Sequence, residues 1–266
     1  MLILAYDVGT SGVKTCLYQA GSELTLVNSR LGTYGLTILP NGGAEQDPDQ
    51  WWDAIVKTTR ELARENPQEM AEVQAISFCS QMQALVLVDE SGHHLRPAMS
   101  YMDQRAAEQK RRGLETGMKI SGMNAKKLLS SLYRTSAVSA SVKDPMWKYL
   151  WVRDNEPEVY AKVHKWLDVK EYLIARLTGN FVMSVDSAFA TLLLDVRSSR
   201  PAWASRLARS FGVNPDHLAP IVTSATAVGT LLPEVAQELG LPQTTTVYAG
   251  GGDAVSYTHL TLPRAI

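Results

Sequence analysis

The chain has 266 residues, of which 45% are hydrophobic and 20% charged, and this composition is typical of a globular protein with a sizeable core. A formal net charge of −1 gives no electrostatic reason to expect nucleic acid or an anionic membrane as a partner. No apolar run approaches the ~20 residues of a membrane-spanning helix, and two cysteines are too few for a disulfide framework, so we expect a cytoplasmic protein.

The first part of the chain predicts the antiparallel start of a mixed sheet. Strands are expected at about 2–8, 13–20 and 24–33. A turn of small residues, Gly9-Thr-Ser-Gly12, joins the first two of them, and Asp7 stands just before it. This arrangement predicts a strand–turn–strand unit with a carboxylate at its entrance.

The residue types of this first turn suit the binding of phosphate and metal. A turn of small residues exposes backbone N–H groups and hydroxyls to phosphate oxygens, and a neighbouring carboxylate can hold a magnesium ion or its waters. A Walker loop is excluded, because GxxxxGK(S/T) must lead from a strand into a helix. An ordinary tight hairpin is the alternative. The candidate residues are Asp7 for the metal and Gly9, Thr10, Ser11 and Lys14 for phosphate.

The next segment predicts one amphipathic helix and two strands. Asp47-Pro48 has the pattern of a helix N-cap followed by proline, and apolar residues recur at helical spacing as far as Asn66-Pro67. Val73–Cys79 and Ala84–Asp89 are predicted strands, and the short polar insert Ser80–Gln83 separates them. Without further context this insert would be interpreted as a solvated hairpin loop.

The remainder of the chain alternates between helices and strands, which indicates an α/β layer architecture. Helices are predicted at about 103–117, 145–155, 157–164, 168–177, 201–211 and 233–239. A last strand at 245–249 leads into Gly250-Gly-Gly-Asp253. Residues 256–266 abandon the preceding pattern, and we expect them to be a non-native tail.

Five segments in their order and spacing carry a family resemblance: the Asp7-Val-Gly-Thr turn, Gly43–Pro48 with Trp51-Trp52, Ser80-Gln-Met82, Tyr101–Arg105 and Gly250–Asp253. Together they resemble the N-terminal half of an FGGY carbohydrate kinase, and the first turn resembles the first phosphate loop of actin-like ATPases. The chain is most similar to xylulokinase-like members. It departs from their pattern at Gln83, where histidine is usual, and at Tyr101, where tryptophan is usual.

The resemblance implies a fold, a reaction and a domain organisation. The implied fold is the α/β, actin-like ATPase (ribonuclease H-like) domain, with a mixed sheet flanked by helices. The implied reaction transfers the γ-phosphoryl group of ATP, with Mg²⁺, to a hydroxyl of a ketose or polyol, and a xylulose-like substrate is favoured. Residues 1–248 would form the N-terminal domain, and 249–255 would begin a C-terminal ATP domain that is otherwise missing. We therefore expect the 266 residues to be inactive alone; a homodimer of the full-length protein is left open.

The same resemblance assigns roles to individual residues. Asp253 would be the catalytic base that deprotonates the acceptor hydroxyl, although on position alone it could cap a following helix. The residues expected to contact the sugar are Gln81, Met82, Gln83, Tyr101 and Asp103. Asp103 and Arg105 could instead form a capped helix start or a surface ion pair.

Two other functions remain as alternatives at this stage. An actin-like ATPase could serve as a scaffold or filament, but it would have no sugar to recognise with Gln81–Gln83 and Tyr101–Arg105. A non-catalytic fragment that retains only sugar contacts is the other alternative.

Overall fold

A computed structural model describes residues 1–253, and strands make up its centre. In chain order the strands are β1 (Leu2–Val8), β2 (Gly12–Ala20), β3 (Leu24–Thr33), β4 (Thr37–Ile38), β5 (Ala44–Gln46), β6 (Val73–Ser80), β7 (Val86–Val88), β8 (Ala98–Met99), β9 (Lys119–Ile120), β10 (Met123–Asn124), β11 (Lys165–Leu167), β12 (Met183–Ser184), β13 (Ile221–Val222), β14 (Ala227–Thr230), β15 (Thr246–Tyr248) and β16 (Gly251–Gly252).

Helices cover the sheet and build the rest of the fold. They are α1 (Pro48–Glu65), α2 (Pro67–Met70), α3 (Ala107–Leu114), α4 (Ala125–Thr135), α5 (Pro145–Asn155), α6 (Pro157–Tyr160), α7 (Val169–Thr178), α8 (Val185–Ala190), α9 (Ser205–Phe211) and α10 (Pro233–Leu239). Within residues 1–253, none of these helices has the length and apolarity needed to cross a membrane.

The central sheet is mixed, which confirms the predicted fold class. Its strand order is β14-β15-β6-β1-β2-β3, and β16 pairs with β6 beyond the end of β15. β1, β2 and β3 form the predicted antiparallel meander, whereas β6 runs parallel to β1, β15 and β16. The carboxyl ends of β1, β6 and β16 therefore meet at one edge of the sheet, where ligand sites of α/β proteins commonly lie.

Local signals explain why α1 forms where the sequence predicts it. The Asp47 side chain accepts a hydrogen bond of 3.0 Å from the backbone N–H of Asp49, and Pro48 occupies the first helical position. Trp51 and Trp52 are both buried in the main core, between this helix and the sheet. The helix thus fixes one face of the sheet.

A second core lies beside the first and is formed by the helical part of the chain. Its buried residues include Trp147 and Tyr149 on α5, and Tyr149 stacks on Trp166 with ring centroids 5.3 Å apart. Leu85 and Met99, which flank the polar segments described below, also belong to this core. The second core therefore supports the loops that follow β6 and β8.

Some elements differ from the sequence prediction. The helix expected at 103–117 spans only Ala107–Leu114. The Asp103 carboxylate accepts hydrogen bonds from the backbone N–H groups of Ala44, on β5, and of Arg105, and these contacts hold residues 103–105 outside the helix. α4 and α8 were not predicted. α8 has six residues, which is too short for apolar periodicity to show.

Candidate active site

A cavity of about 870 Å³ opens at the edge of the sheet where β1, β6 and β16 end. Six predicted site residues line it: Thr10, Gln81, Met82, Gln83, Tyr101 and Asp253. Its other lining residues are Val185, Asp186, Phe189, Ala190, Leu192, Leu194 and Ser224. Residues that are up to 243 positions apart in the sequence thus surround one space.

The first turn is held by its own backbone and by a tyrosine. The N–H of Gly9 donates to the carbonyl oxygen of Gly12 at 2.9 Å. The Tyr34 hydroxyl lies 2.7 Å from the Gly9 carbonyl oxygen and 2.9 Å from that of Gly12. Ser11 and Lys14 are exposed near this turn, and Thr10 lies in the cavity wall. The turn is therefore a fixed loop beside the cavity.

Asp7 and Asp253 form an acidic pair near the turn. Partial desolvation and then the negative charge of Asp253 raise the pKa of Asp7 above its ordinary value, while the charge of Lys14 opposes the change. Lys14 is directly opposite Asp7 in the β1–β2 register. Two carboxylates that repel each other beside a phosphate-type turn are a donor set that fits a hard divalent cation. The residues present therefore fit a magnesium ion held by Asp7.

A relay of amides links the first turn to the segment after β6. Gln46 Nε2 donates to the carbonyl oxygen of Thr10 at 2.8 Å, and Gln81 Nε2 donates to Gln46 Oε1 at 2.8 Å. Gln46 and Gln81 are both buried, and Gln81 Oε1 accepts no hydrogen bond from residues 1–253. The relay fixes the Gln81 amide so that its oxygen remains the unused group. Gln46 lies in the Gly43–Pro48 segment but was not predicted as a site residue, because only the folded chain brings it to Gln81.

Gln83 adopts a left-handed backbone conformation, with φ of 64°, which is uncommon for a residue with a side chain. Its N–H donates to Asp168 Oδ2 at 2.8 Å, and its carbonyl oxygen accepts from Lys148 Nζ at 2.6 Å. Its side-chain Nε2 donates to the carbonyl oxygen of Ala190 at 3.3 Å. Burial raises the pKa of Asp168 to about 7. Tertiary contacts on both sides therefore hold this residue against the cavity.

The Ser100–Arg105 loop contributes one of its two predicted site residues to the cavity. Tyr101 lines the cavity, and its hydroxyl accepts from Thr10 Oγ1 at 3.4 Å. Asp103 is fully buried and does not line the cavity. Its carboxylate accepts from the Ala44 N–H at 2.9 Å and from Arg105 Nη2 at 2.7 Å. Contact between Asp103 and a sugar would require the carboxylate to leave these partners.

One cavity wall comes from α8 and the loop after it, which sequence reasoning missed. Asp186 Oδ2 accepts from the backbone N–H of Gly252, immediately before Asp253, and Asp186 Oδ1 lies 3.9 Å from the fully buried Lys170 Nζ. The Asp186 side chain is only 8% exposed. An acidic residue in the first turn of a short helix is ordinary, so the sequence contains no signal for this contact.

Comparison with known proteins gives the chain a family. Residues 2–258 match the model of the FGGY family of carbohydrate kinases, N-terminal domain. The chain is 31% identical over 252 residues to a xylulose kinase of Bacillus subtilis, covering 94% of this chain and 47% of that protein. The chain therefore spans about half the length of the curated relatives that it matches.

Solved structures show the same similarity. A xyloylose kinase from Brucella ovis superposes with a TM-score of 0.84 at 26% identity, covering 96% of this chain and 49% of that one. A gluconate kinase from Lactobacillus acidophilus superposes with a TM-score of 0.79 at 25% identity, covering 96% and 48%. The predicted actin-like ATPase fold is thereby confirmed, and the chain belongs to the FGGY family of carbohydrate kinases, as an N-terminal domain.

Proposed function

We propose that this chain forms the acceptor side of an ATP-dependent carbohydrate kinase that phosphorylates a hydroxyl of a ketose or polyol. The observation that supports this most is the convergence of Thr10, Gln81–Gln83, Tyr101 and Asp253 around one cavity. A xylulose-like acceptor is favoured because the relative at 31% identity is a xylulose kinase. Cys16 and Cys79 form no disulfide within residues 1–253, which is in keeping with a reducing, cytoplasmic setting.

In the proposed reaction the acceptor hydroxyl attacks the γ-phosphorus of ATP. Asp253 accepts the hydroxyl proton as the new oxygen–phosphorus bond forms, the bond to the bridging oxygen breaks, and ADP leaves. The turn residues Gly9, Thr10, Ser11 and Lys14 would bind phosphate oxygens through N–H, hydroxyl and ammonium groups. A magnesium ion held by Asp7 would neutralise phosphate charge when bound.

The acceptor side would recognise hydroxyl groups through fixed polar atoms. Gln81 has a buried amide oxygen without a hydrogen-bond partner among residues 1–253, and Gln83 and Tyr101 add polar side chains to the cavity wall. A site built to hydrogen-bond hydroxyls discriminates strongly against analogues that lack them, because its polar groups are then left unpaired. For Asp103 we propose a supporting role, since its carboxylate holds the loop that carries Tyr101.

We further propose that these 266 residues bind the acceptor but do not turn it over alone. Closure of two domains around the substrates excludes water and completes such a site, and the chain corresponds to about half of its relatives. The genomic reading frame downstream of the Val255 codon tests this point. Continuation into a second, nucleotide-binding half supports it, whereas robust sugar phosphorylation by the 266 residues alone contradicts it.

Titration calorimetry of the 266-residue chain with D-xylulose, gluconate and glycerol tests the acceptor site. We expect one of these ligands, D-xylulose first, to bind to the wild type and to Asp253→Asn with similar affinity, because Asp253 acts on the proton and not on affinity. Gln81→Leu should weaken binding at least about tenfold, since it removes the relay and the unpaired acceptor. Asp53→Asn, on the surface of α1, is the matched control. Failure of the wild type to bind any ketose, polyol or aldonate would overturn the proposal.

A further inference from the structure

A fully buried lysine lies behind the cavity wall, and the proposed chemistry does not use it. Lys148 is on α5 and is 0% exposed. Its Nζ donates to the carbonyl oxygen of Gln83 at 2.6 Å and to that of Ser100 at 2.8 Å. These two carbonyls belong to segments that follow different strands, β6 and β8. One ammonium group therefore joins the two segments that line the cavity with polar side chains.

The surroundings of Lys148 explain how a cation is tolerated there. Burial lowers its pKa to about 8, and the carboxylates of Asp168, Asp103 and Asp144 oppose this change. The ammonium of Lys143 adds to the lowering. A buried cation is costly unless it is paired and hydrogen-bonded. Here three carboxylates supply the charge and two backbone carbonyls supply the acceptors, so the site is built for an amine.

The backbone of Gln83 gives the contact a mechanical consequence. Its left-handed conformation, with φ of 64°, is unfavourable for a residue with a side chain and persists only where tertiary contacts enforce it. Asp168 binds its N–H and Lys148 binds its carbonyl oxygen. Without Lys148, one of the two contacts that hold this backbone is lost, and the Ser100 carbonyl loses the same partner.

We propose that Lys148 is a positioning residue of the acceptor site, which fixes the Gln81–Gln83 segment relative to the loop that carries Tyr101. This role rests on the proposed function, because the two segments are the proposed sugar-binding wall. Preorganising a wall removes the cost of ordering it when a ligand binds. Removal of the ammonium should therefore weaken sugar binding even though Lys148 does not line the cavity.

The test compares two lysines in the 266-residue chain. Lys148→Met removes the ammonium and keeps an unbranched side chain. Lys127→Met is the matched control, since Lys127 Nζ also donates to a backbone carbonyl, that of Gly113 at 2.7 Å, but outside the cavity wall. Hydrogen–deuterium exchange read by mass spectrometry reports the order of each segment, and calorimetry with D-xylulose reports affinity.

In Lys148→Met we expect exchange at least about tenfold faster in peptides covering 81–88 and 98–105, with the strands β1 and β2 unchanged. The D-xylulose Kd should rise at least about tenfold, the change expected when one or two hydrogen bonds of ordinary strength are lost. In Lys127→Met the faster exchange should be confined to residues near 113–127, and the Kd should stay within about twofold of the wild type.

The outcomes separate the two proposals. If the wild type binds no sugar, the proposed function fails, whereas the exchange data still decide whether Lys148 fixes the two segments. Wild-type exchange in both segments, or a Kd change no larger than that of Lys127→Met, overturns the role of Lys148. If Lys148→Met does not fold, Lys148→Gln, a shorter side chain without positive charge, replaces it under the same criteria.

Discussion

Gly250 offers the sharpest test of how the chain delivers Asp253 to the cavity. Its φ is +66°, and a Cβ built on it would lie 2.2 Å from the carbonyl oxygen and 2.8 Å from the nitrogen of Phe78. Phe78 belongs to β6, the strand that pairs with β16. These neighbours are backbone atoms that no rotamer change can move, so Gly250→Ala must displace one of the two chain segments.

The expected loss of stability in Gly250→Ala has two contributions. A left-handed conformation costs a residue with a Cβ about 1–2 kcal/mol. To remove the overlap, Gly251–Gly252 must move away from β6. Each backbone hydrogen bond that is lost between them lowers the free energy of unfolding by about a further 1 kcal/mol. We therefore expect the free energy of unfolding to fall by about 3–4 kcal/mol. For a chain of this size that corresponds to a decrease in Tm of roughly 6–16 °C.

Gly240→Ala supplies the matched control for this measurement. Gly240 also has a positive φ, +69°, but a Cβ there would meet no atom within 4 Å. This variant should lose only the conformational term, about 1–2 kcal/mol. Urea unfolding of both variants and the wild type, followed by circular dichroism, gives the comparison. Equal losses in the two variants would refute the reasoning, because the close approach to β6 would then have no energetic effect.

Three further changes test the polar contacts around the cavity. Gln46→Glu places a carboxylate against the Thr10 carbonyl oxygen, and calorimetry should show at least about tenfold weaker sugar binding. Asp7→Asn removes the repulsion from Asp253, so a thermal melt should show no loss of stability, whereas calorimetry should show weaker binding of Mg²⁺ to the chain. Asp168→Asn tests the raised pKa, since the native wild type binds more protons than the unfolded chain between about pH 4 and 7. Wild-type stability from this group is therefore lost as the pH rises through 7, and urea unfolding should show a larger difference between wild type and variant at pH 5 than at pH 8.

Local signals explain which parts of the fold could be predicted. The strands expected at 2–8, 13–20 and 24–33 match β1, β2 and β3 to within one residue at each end. Alternation of apolar and polar residues, turn residues and helix caps such as Asp47 all depend on residues only a few positions apart in the sequence. The same holds for α7, whose predicted end at Gly179 has a φ of +73° in the structure.

The parts that could not be predicted depend on contacts between distant residues. Gln46 meets Gln81 across 35 positions, and Lys148 meets Gln83 across 65. Gln46 lies in the Gly43–Pro48 segment that carries the family resemblance, but nothing in that segment shows that its amide meets Gln81. Lys148 belongs to no motif and is an ordinary residue of α5. Asp103 shows the opposite limit. The resemblance predicts a sugar contact for it, which stays a prediction, and no sequence pattern shows that its carboxylate binds Arg105 and the Ala44 N–H.

Hydrogen bonds and ion contacts hold the cavity wall, and their directionality affects which ligands the wall can recognise. Gln46 joins the first turn to Gln81, Lys148 joins Gln83 to the Ser100 carbonyl, and Asp186 joins α8 to Gly252. Apolar packing would stabilise the same loops without a fixed orientation, because the hydrophobic effect is non-directional. Hydrogen bonds within the wall determine which polar atom of each side chain is still able to bind a ligand. A buried polar atom that has no hydrogen-bond partner lowers the stability of the fold. We therefore expect Gln81, Gln83 and Tyr101 to favour hydroxyl groups on the part of the ligand that they contact, beside apolar lining residues such as Val185 and Phe189.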